Sequence, residues 1–252
     1  MILLQVEHIE KYYGNERNLT KALDDISFQV DGGEFICVMG ASGSGKTTLL
    51  NCISTIDTVS AGSIFLESAD ITEMPEKSIA AFRRDNLGFI FQDSNLLDTL
   101  TIEENIALPL TIKELPPDEV NKRTLEIASR LRITDTLSKF PYEVSGGQKQ
   151  RGAVARAVVT TPKLIVADEP TGALDSKSSR VLMELLDNLN KSLGSTILLV
   201  THDPVSASYA GRILFLKDGK IFNEIVKGEK TSPAFYHEIL DVLSLMGGDF
   251  PC

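Results

Sequence analysis

Gly40-Ala41-Ser42-Gly43-Ser44-Gly45-Lys46-Thr47 decides how this chain is read. The stretch fits G-x-x-x-x-G-K-[ST], a loop that surrounds phosphate groups with backbone N–H. An apolar run, Phe35-Ile36-Cys37-Val38-Met39, enters it, and a helix-like run from Thr47 to Ile56 leaves it. That is the strand–loop–helix setting the motif needs. Gly40, Gly43 and Gly45 let the backbone turn its N–H groups inward, and the helix that follows adds a positive N-terminal end. Ser42, Ser44 and Thr48 complete the expected nucleotide-binding set. Lys46 is expected to reach the β- and γ-phosphates of ATP, and Thr47 to place its hydroxyl on Mg²⁺.

Further along, Leu164-Ile165-Val166-Ala167 is a buried-strand pattern that delivers Asp168 and Glu169 at its C-terminal end. Ligands collect at the carboxyl ends of strands in open α/β sheets. Adjacent carboxylates repel each other, so separate tasks are expected. Asp168 suits a Mg²⁺ ligand, and Glu169 suits the base that takes a proton from an attacking water.

A third element is Val144-Ser145-Gly146-Gly147-Gln148, followed by a helix to about Val159. Ser145 is a natural N-cap, and the glycines admit a ligand close to the backbone. This is a second anion-binding helix start in one chain. A triphosphate already held by the first loop has no need of a second cradle in the same chain. The second one fits the nucleotide of another copy, which predicts a head-to-tail pair with ATP between the subunits.

The remaining sequence bounds the class. The chain has 252 residues, 42% of them hydrophobic, which suits one large domain. Its net charge of −10 argues against nucleic acid as the main partner. No run reaches the length of a membrane span, and the N-terminus has no signal-peptide pattern, so a cytosolic protein is expected. Cys37, Cys52 and Cys252 have no metal spacing and read as reduced thiols. His8, His202 and His237 form no metal signature.

Strand-like alternation covers residues 2–9 and 26–30, and Gly62–Leu66 and Leu87–Phe91 read as further strands. The 95–160 region turns helical, with a helix start at Pro116-Pro117-Asp118. The parallel-strand pattern resumes at Leu164 and again at Thr196–Val200, with a helix over Ser178–Leu193 between them. Asp218-Gly219 is a hairpin signal, and a modest helix spans 234–246. The predicted class is α/β, with a parallel sheet covered on both faces.

On these motifs the chain resembles the ATP-binding subunits of ABC transporters, over nearly all of its length. Ser145-Gly146-Gly147-Gln148 matches the family signature, with Val144 where Leu is usual. The resemblance implies a P-loop NTPase (RecA-like) core, an antiparallel β subdomain, a helical subdomain over about 95–160 and a C-terminal extension over about 228–252, in one ATP-binding domain. It implies that Gln92, after Phe89-Ile90-Phe91, contacts Mg²⁺ and the attacking water and senses a membrane partner. It also implies that Asp175, in Ala173-Leu174-Asp175, crosses a dimer interface, and that His202 touches the γ-phosphate. Tyr13 sits where the family stacks an aromatic ring on adenine, and Tyr12 competes for that role.

Thr55-Ile56-Asp57, Asn95-Leu96-Leu97 and Glu104-Asn105-Ile106 resemble the branch that includes lipoprotein-release and macrolide-export ATPases. The segments Ser54–Asp57 and Asn95–Thr101 are most similar to the bacitracin-efflux type. That implies a homodimer on the cytoplasmic face of the membrane, a large integral-membrane permease, a neighbouring sensor histidine kinase and a role in peptide-antibiotic resistance. Lipoprotein extraction and a cell-division role stay open as alternatives within the branch. Soluble ATPases of translation or repair usually carry twin cassettes or a coiled-coil insertion, and this chain has neither. Residues 93–110 are expected to form the groove for the permease, with Leu96, Leu97 and Leu100 as candidate anchors.

Overall fold

In the computed structural model, which describes residues 1–15 and 18–247, alternate residues of the buried strands face opposite ways, and this organises the molecule. Phe35, Cys37 and Met39 of β3 (Phe35–Met39) join one apolar cluster, whereas Ile36 and Val38 join another. The same division runs through β7 (Leu164–Asp168), β8 (Thr196–Thr201) and β9 (Arg212–Lys217). A sheet buried on both faces needs such continuous apolar strands. With β6 (Leu87–Ile90) and β10 (Lys220–Val226) it forms a six-stranded sheet in the order β10-β9-β3-β8-β7-β6. Every pairing is parallel except that of β10 with β9. Their connection uses Asp218 and Gly219 with φ of 49° and 76°, the positive pair that a tight hairpin turn requires.

One face packs against α3 (Ile102–Ile112), α4 (Pro117–Arg130), α5 (Gly146–Val158), α6 (Ser176–Leu193), the short α7 (Pro204–Ala207) and α8 (Ser232–Gly247). The other packs against α1 (Lys46–Ile53) and a four-stranded antiparallel sheet. That sheet has the order β2-β1-β4-β5, from β1 (Ile2–Asn15), β2 (Asn18–Asp31), β4 (Ala61–Leu66) and β5 (Ala69–Asp70). Each fully buried Leu, Ile or Phe stabilises the fold by about 1.5–3 kcal/mol relative to exposure. Phe215 and Phe235 are the largest such side chains on the helical face.

Helix α2 (Glu76–Asn86) precedes β6 and has no fully buried residue. The loop after β6 is held from below. Asn105, itself buried, donates to the Leu97, Leu100 and Thr101 carbonyls and accepts from Leu97 N. Among the described residues, no helix is long and apolar enough to cross a membrane. Cys37 and Cys52 are buried free thiols, and burial pushes the Cys52 thiol up to about 11. Cys252 and the end of the expected C-terminal extension lie outside the described residues.

Candidate functional site

Strand β3 ends at Met39, and the chain turns through Gly40–Gly45 into α1. Gly45 stands at the helix N-cap with φ 103°, and a Cβ there would lie 2.6 Å from the Ala22 carbonyl. At Gly40 a Cβ would meet the Leu216 carbonyl at 2.2 Å. Both positions therefore demand glycine. No side chain caps α1, so the N–H groups of its first turn remain open to an anion. Lys46 is buried, and its Nζ donates to the Ala41 carbonyl at 2.8 Å. Burial pushes its ammonium below the ordinary range, while Glu169 and Asp168 oppose the shift.

The loop borders a cleft of about 570 Å³ lined by Ser42, Gly43, Gly45, Lys46, Thr47, Thr48, Gln92, Glu169 and His202, with Ala22. Nine expected nucleotide-binding or catalytic positions thus meet in one place, and Glu169 comes to them from the end of β7, which β8 separates from β3. Gly40 and Ser44 line a different space, behind the loop, against Leu216 and α8.

Glu169 follows β7 in a left-handed conformation, φ 44°, a strain that costs about 1–3 kcal/mol and persists only where the surroundings enforce it. They do so here. Glu169 N donates to the Val200 carbonyl at 2.9 Å. Its Oε1 accepts from His202 Nδ1 at 2.7 Å, and its Oε2 accepts from Thr201 Oγ1 at 3.0 Å. The Thr201 hydroxyl also accepts from Asp203 N at 3.1 Å, so its one proton is directed at Glu169. Asp168 lies deeper, and its Oδ1 is buried with no hydrogen-bond partner. Burial and then the Glu169 charge push the Asp168 carboxyl above its ordinary range, against the pull of Lys46. An orphaned carboxylate oxygen beside a lysine and a second carboxylate fits a hard cation. Among the described residues no cluster of three or more His, Cys, Asp or Glu could hold a metal. A cation here would therefore draw on hydroxyl, amide, phosphate and water oxygens as well, as Mg²⁺ usually does.

Gln92 lies over Gly172, where a Cβ would come within 3.0 Å of its amide carbon. The residue before it is anchored from α5, because the buried Gln150 donates to the Phe91 carbonyl at 2.7 Å. Ser145 caps α5 in a closed box. It accepts from Gln148 N at 3.3 Å, and Gln148 Oε1 accepts from Ser145 N at 3.0 Å. Asp175 caps α6, accepting from Lys177 N, Ser178 N and the Ser178 hydroxyl. A Cβ on Gly147 would sit 2.9 Å from Ser178 Oγ, and one on Gly146 3.8 Å from Leu174. Ser145–Gln148 and Asp175 thus form a second group, and none of them lines the cleft.

Tyr13 does not line the cleft itself. Its hydroxyl donates to Asp57 Oδ2 at 2.6 Å and neighbours Thr48. The Tyr12 hydroxyl donates instead to Glu10 at 2.7 Å.

The ABC transporter family model matches residues 23–172. The chain is 48% identical to the bacitracin export ATP-binding protein BceA of Halalkalibacterium halodurans, with 98% of each chain covered. It is 53% identical to the ABC transporter ATP-binding protein YxdL of Bacillus subtilis, covering 98% of this chain and 95% of that one. This chain belongs to the ABC transporter family. It also shares 38% identity with the macrolide export ATP-binding/permease protein MacB of Aggregatibacter actinomycetemcomitans, over 92% of this chain and 36% of the longer one. A solved dimeric post-hydrolysis state of the ATP-binding cassette MJ0796, bound to ADP and Pi, has a TM-score of 0.81 and 36% identity, covering 89% of this chain and 98% of that one.

As an ABC transporter cassette, the chain is an ATPase with the P-loop fold expected from its sequence. The geometry adds two residues that no motif singled out. Thr201 directs its proton at Glu169, and Ala22 closes the cleft beneath Gly45. Thr201 stands next to His202 in an ordinary strand, so only the pairing of β7 with β8 exposes its place.

Proposed function

We propose that this chain is the motor of a peptide-antibiotic exporter, working as a head-to-tail homodimer on the cytoplasmic face of the membrane. The observation that carries the dimer is the separation of two anion-binding helix starts. The start of α1 opens into the cleft, whereas Ser145 and Gly146 are exposed at a helix start that does not line it. A second copy placed head to tail brings the latter onto the triphosphate held by the former. The MJ0796 cassette is dimeric in its post-hydrolysis state, which supports a pair of chains as the working unit.

Within each half, Lys46 and the open N–H groups of the loop hold the phosphates, and Tyr13 stacks on the adenine. Asp168, with Thr47 and Gln92, would hold Mg²⁺. Bound there, the cation would neutralise charge on the β- and γ-phosphates. Glu169 takes the proton of the attacking water, oriented by the Thr201 hydroxyl and by His202. The contact of His202 Nδ1 with Glu169 leaves the ring's Nε2 for the γ-phosphate.

The permease reading draws support from the MacB relative, whose name joins ATP-binding and permease functions in one chain about one third matched by this one. The groove we assign to it overlaps the expected stretch, 93–110, at Leu108 and Pro109 but not at the leucines expected as anchors. Leu96 packs against the core, whereas an open groove of about 430 Å³ lies between α2, β6, α3 and α5, lined by Arg83, Phe89, Leu108, Ile112 and Arg156. Arg83, Arg84 and Arg156 line it and no carboxylate does, in a chain of net charge −10. Arg83 Nε is buried without a partner. A cytoplasmic segment of the permease with an apolar face and an acidic residue fits it. A sensor kinase beside the transporter belongs to the same proposal.

The bacitracin-type substrate is tested by growth. Cells whose only copy of this chain carries Lys46→Ala should lose resistance to bacitracin-like peptides, while a wild-type copy restores it. Unchanged inhibitory concentrations would assign the motor to another cargo, lipoprotein release first.

A further inference from the structure

Tyr13 is held by Lys11 and Asp57, to which the sequence assigns no role at the site beyond the place of Asp57 in the branch-specific stretch Ser54–Asp57. Its hydroxyl donates to Asp57 Oδ2 at 2.6 Å, and Lys11 Nζ donates to Asp57 Oδ1 at 2.6 Å. The same ammonium lies 4.9 Å over the centre of the Tyr13 ring and donates to the Thr58 carbonyl at 2.6 Å. The Lys11 side chain is only 10% exposed, so this cation is committed to the cluster. Asp57 Oδ1 also accepts from Thr58 N at 2.7 Å.

Asp57 is in turn an extension of the phosphate-loop helix. Ile56 N and Asp57 N both donate to the Asn51 carbonyl in α1, at 2.9 and 3.1 Å. The cluster therefore ties a ring on β1 of the antiparallel sheet to the helix that starts under the triphosphate. Burial pushes the Asp57 carboxyl up, but the hydrogen bonds from Lys11 and Tyr13 outweigh it and hold the group below its ordinary range. Burial and then Asp57 push the Tyr13 phenol up. At neutral pH a carboxylate thus faces a protonated phenol, a charge-assisted bond of the stronger kind. Tyr12 is held by Glu10 and Lys21 instead, and neither belongs to α1.

We propose that Asp57, backed by Lys11, is a positioning residue that fixes the Tyr13 ring at the distance from the phosphate loop that the adenine of ATP spans. This rests on the reading of Tyr13 as the adenine platform. A ring fixed before binding loses no rotamer freedom when the base arrives, a saving typical of one immobilised side chain. Removing the tether should therefore weaken ATP without touching the phosphate end.

The test is steady-state ATPase kinetics on Tyr13→Ala, Tyr13→Phe, Asp57→Ala, Asp57→Asn and the Tyr13→Phe/Asp57→Ala double variant. Inorganic tripolyphosphate serves as a competitor that lacks a base. We expect Asp57→Ala to raise KM for ATP by roughly 3–10-fold, the worth of one pre-ordered side chain, with kcat and inhibition by tripolyphosphate unchanged. Tyr13→Phe should match it, the double variant should be no worse than either, and Asp57→Asn, which keeps an acceptor, should recover much of the loss. Weakened tripolyphosphate inhibition in Asp57→Ala would show that Asp57 acts on the phosphate loop and would overturn the proposal. A raised KM in Tyr13→Ala alone, with Tyr13→Phe and Asp57→Ala at wild-type values, would overturn the tether and leave the platform standing. An unchanged KM in Tyr13→Ala would overturn the platform itself.

Discussion

Helices α1 and α5 begin in opposite states, although both start at a glycine-bearing turn. The start of α1 has a glycine at its N-cap and no capping side chain, and its lysine is drawn in under the loop. The start of α5 is closed by the reciprocal Ser145–Gln148 box and stands exposed. An uncapped helix start in a folded core is costly unless something fills it. A capped one is stable alone and gives up little when a ligand adds to it. The contrast separates a site that one chain builds for itself from a surface that becomes a site only against another chain.

The largest effect should come from emptying the first of these. Lys46→Ala should abolish ATP binding, read by calorimetry, because the phosphates lose the buried lysine that lines the cleft. Unchanged affinity would mean that the loop does not hold them. Next, Glu169→Gln should keep ATP binding and lower phosphate release by roughly 10²–10⁴-fold, the usual range for a lost general base. Near-normal turnover would remove Glu169 from that role.

Gly146→Asp addresses the second helix start alone. A carboxylate in the first turn of α5 should raise stability slightly, by about 0.3–1 kcal/mol, and a Cβ at Gly146 meets only Leu174 at 3.8 Å. The same charge would repel a neighbour's triphosphate, so turnover should fall by roughly 10²-fold or more, as when a transition-state donor is lost. Retained turnover would reduce α5 to an ordinary capped helix. Ser145→Ala is the mildest change. Loss of the cap costs about 1 kcal/mol, or a fall of about 2–4 °C in Tm for a chain of this size, measured by differential scanning fluorimetry. No shift would mean that the capping box contributes nothing to the resting chain.

The two regions also differ in how far the sequence reveals them. Strands β3, β7 and β8 are continuous apolar runs between polar turns, so their burial and the chemistry at their ends can be read directly. Helix α2 has no fully buried residue, and only Phe82 of it packs against the core, so its apolar signal is weak. Strands β1 and β2 run on to Asn15 and from Asn18, beyond the alternating segments, because register shifts after Val6 break the period. Loop composition identifies the phosphate cradle but not its facing, and Gly40 and Ser44 turn to the side away from the cleft. Thr201 and Asp57 act across pairings of β7 with β8 and of β1 with the end of α1. One strand or one turn read alone carries no trace of such contacts.

Sedimentation of Glu169→Gln with and without ATP tests the central claim most directly. Without nucleotide the variant should sediment as a single protomer, and with ATP as a dimer that retains one nucleotide per chain, an association that adding Gly146→Asp should abolish. If saturating ATP leaves only single protomers, even in the presence of the membrane subunit, the start of α5 is not the second half of the ATP site.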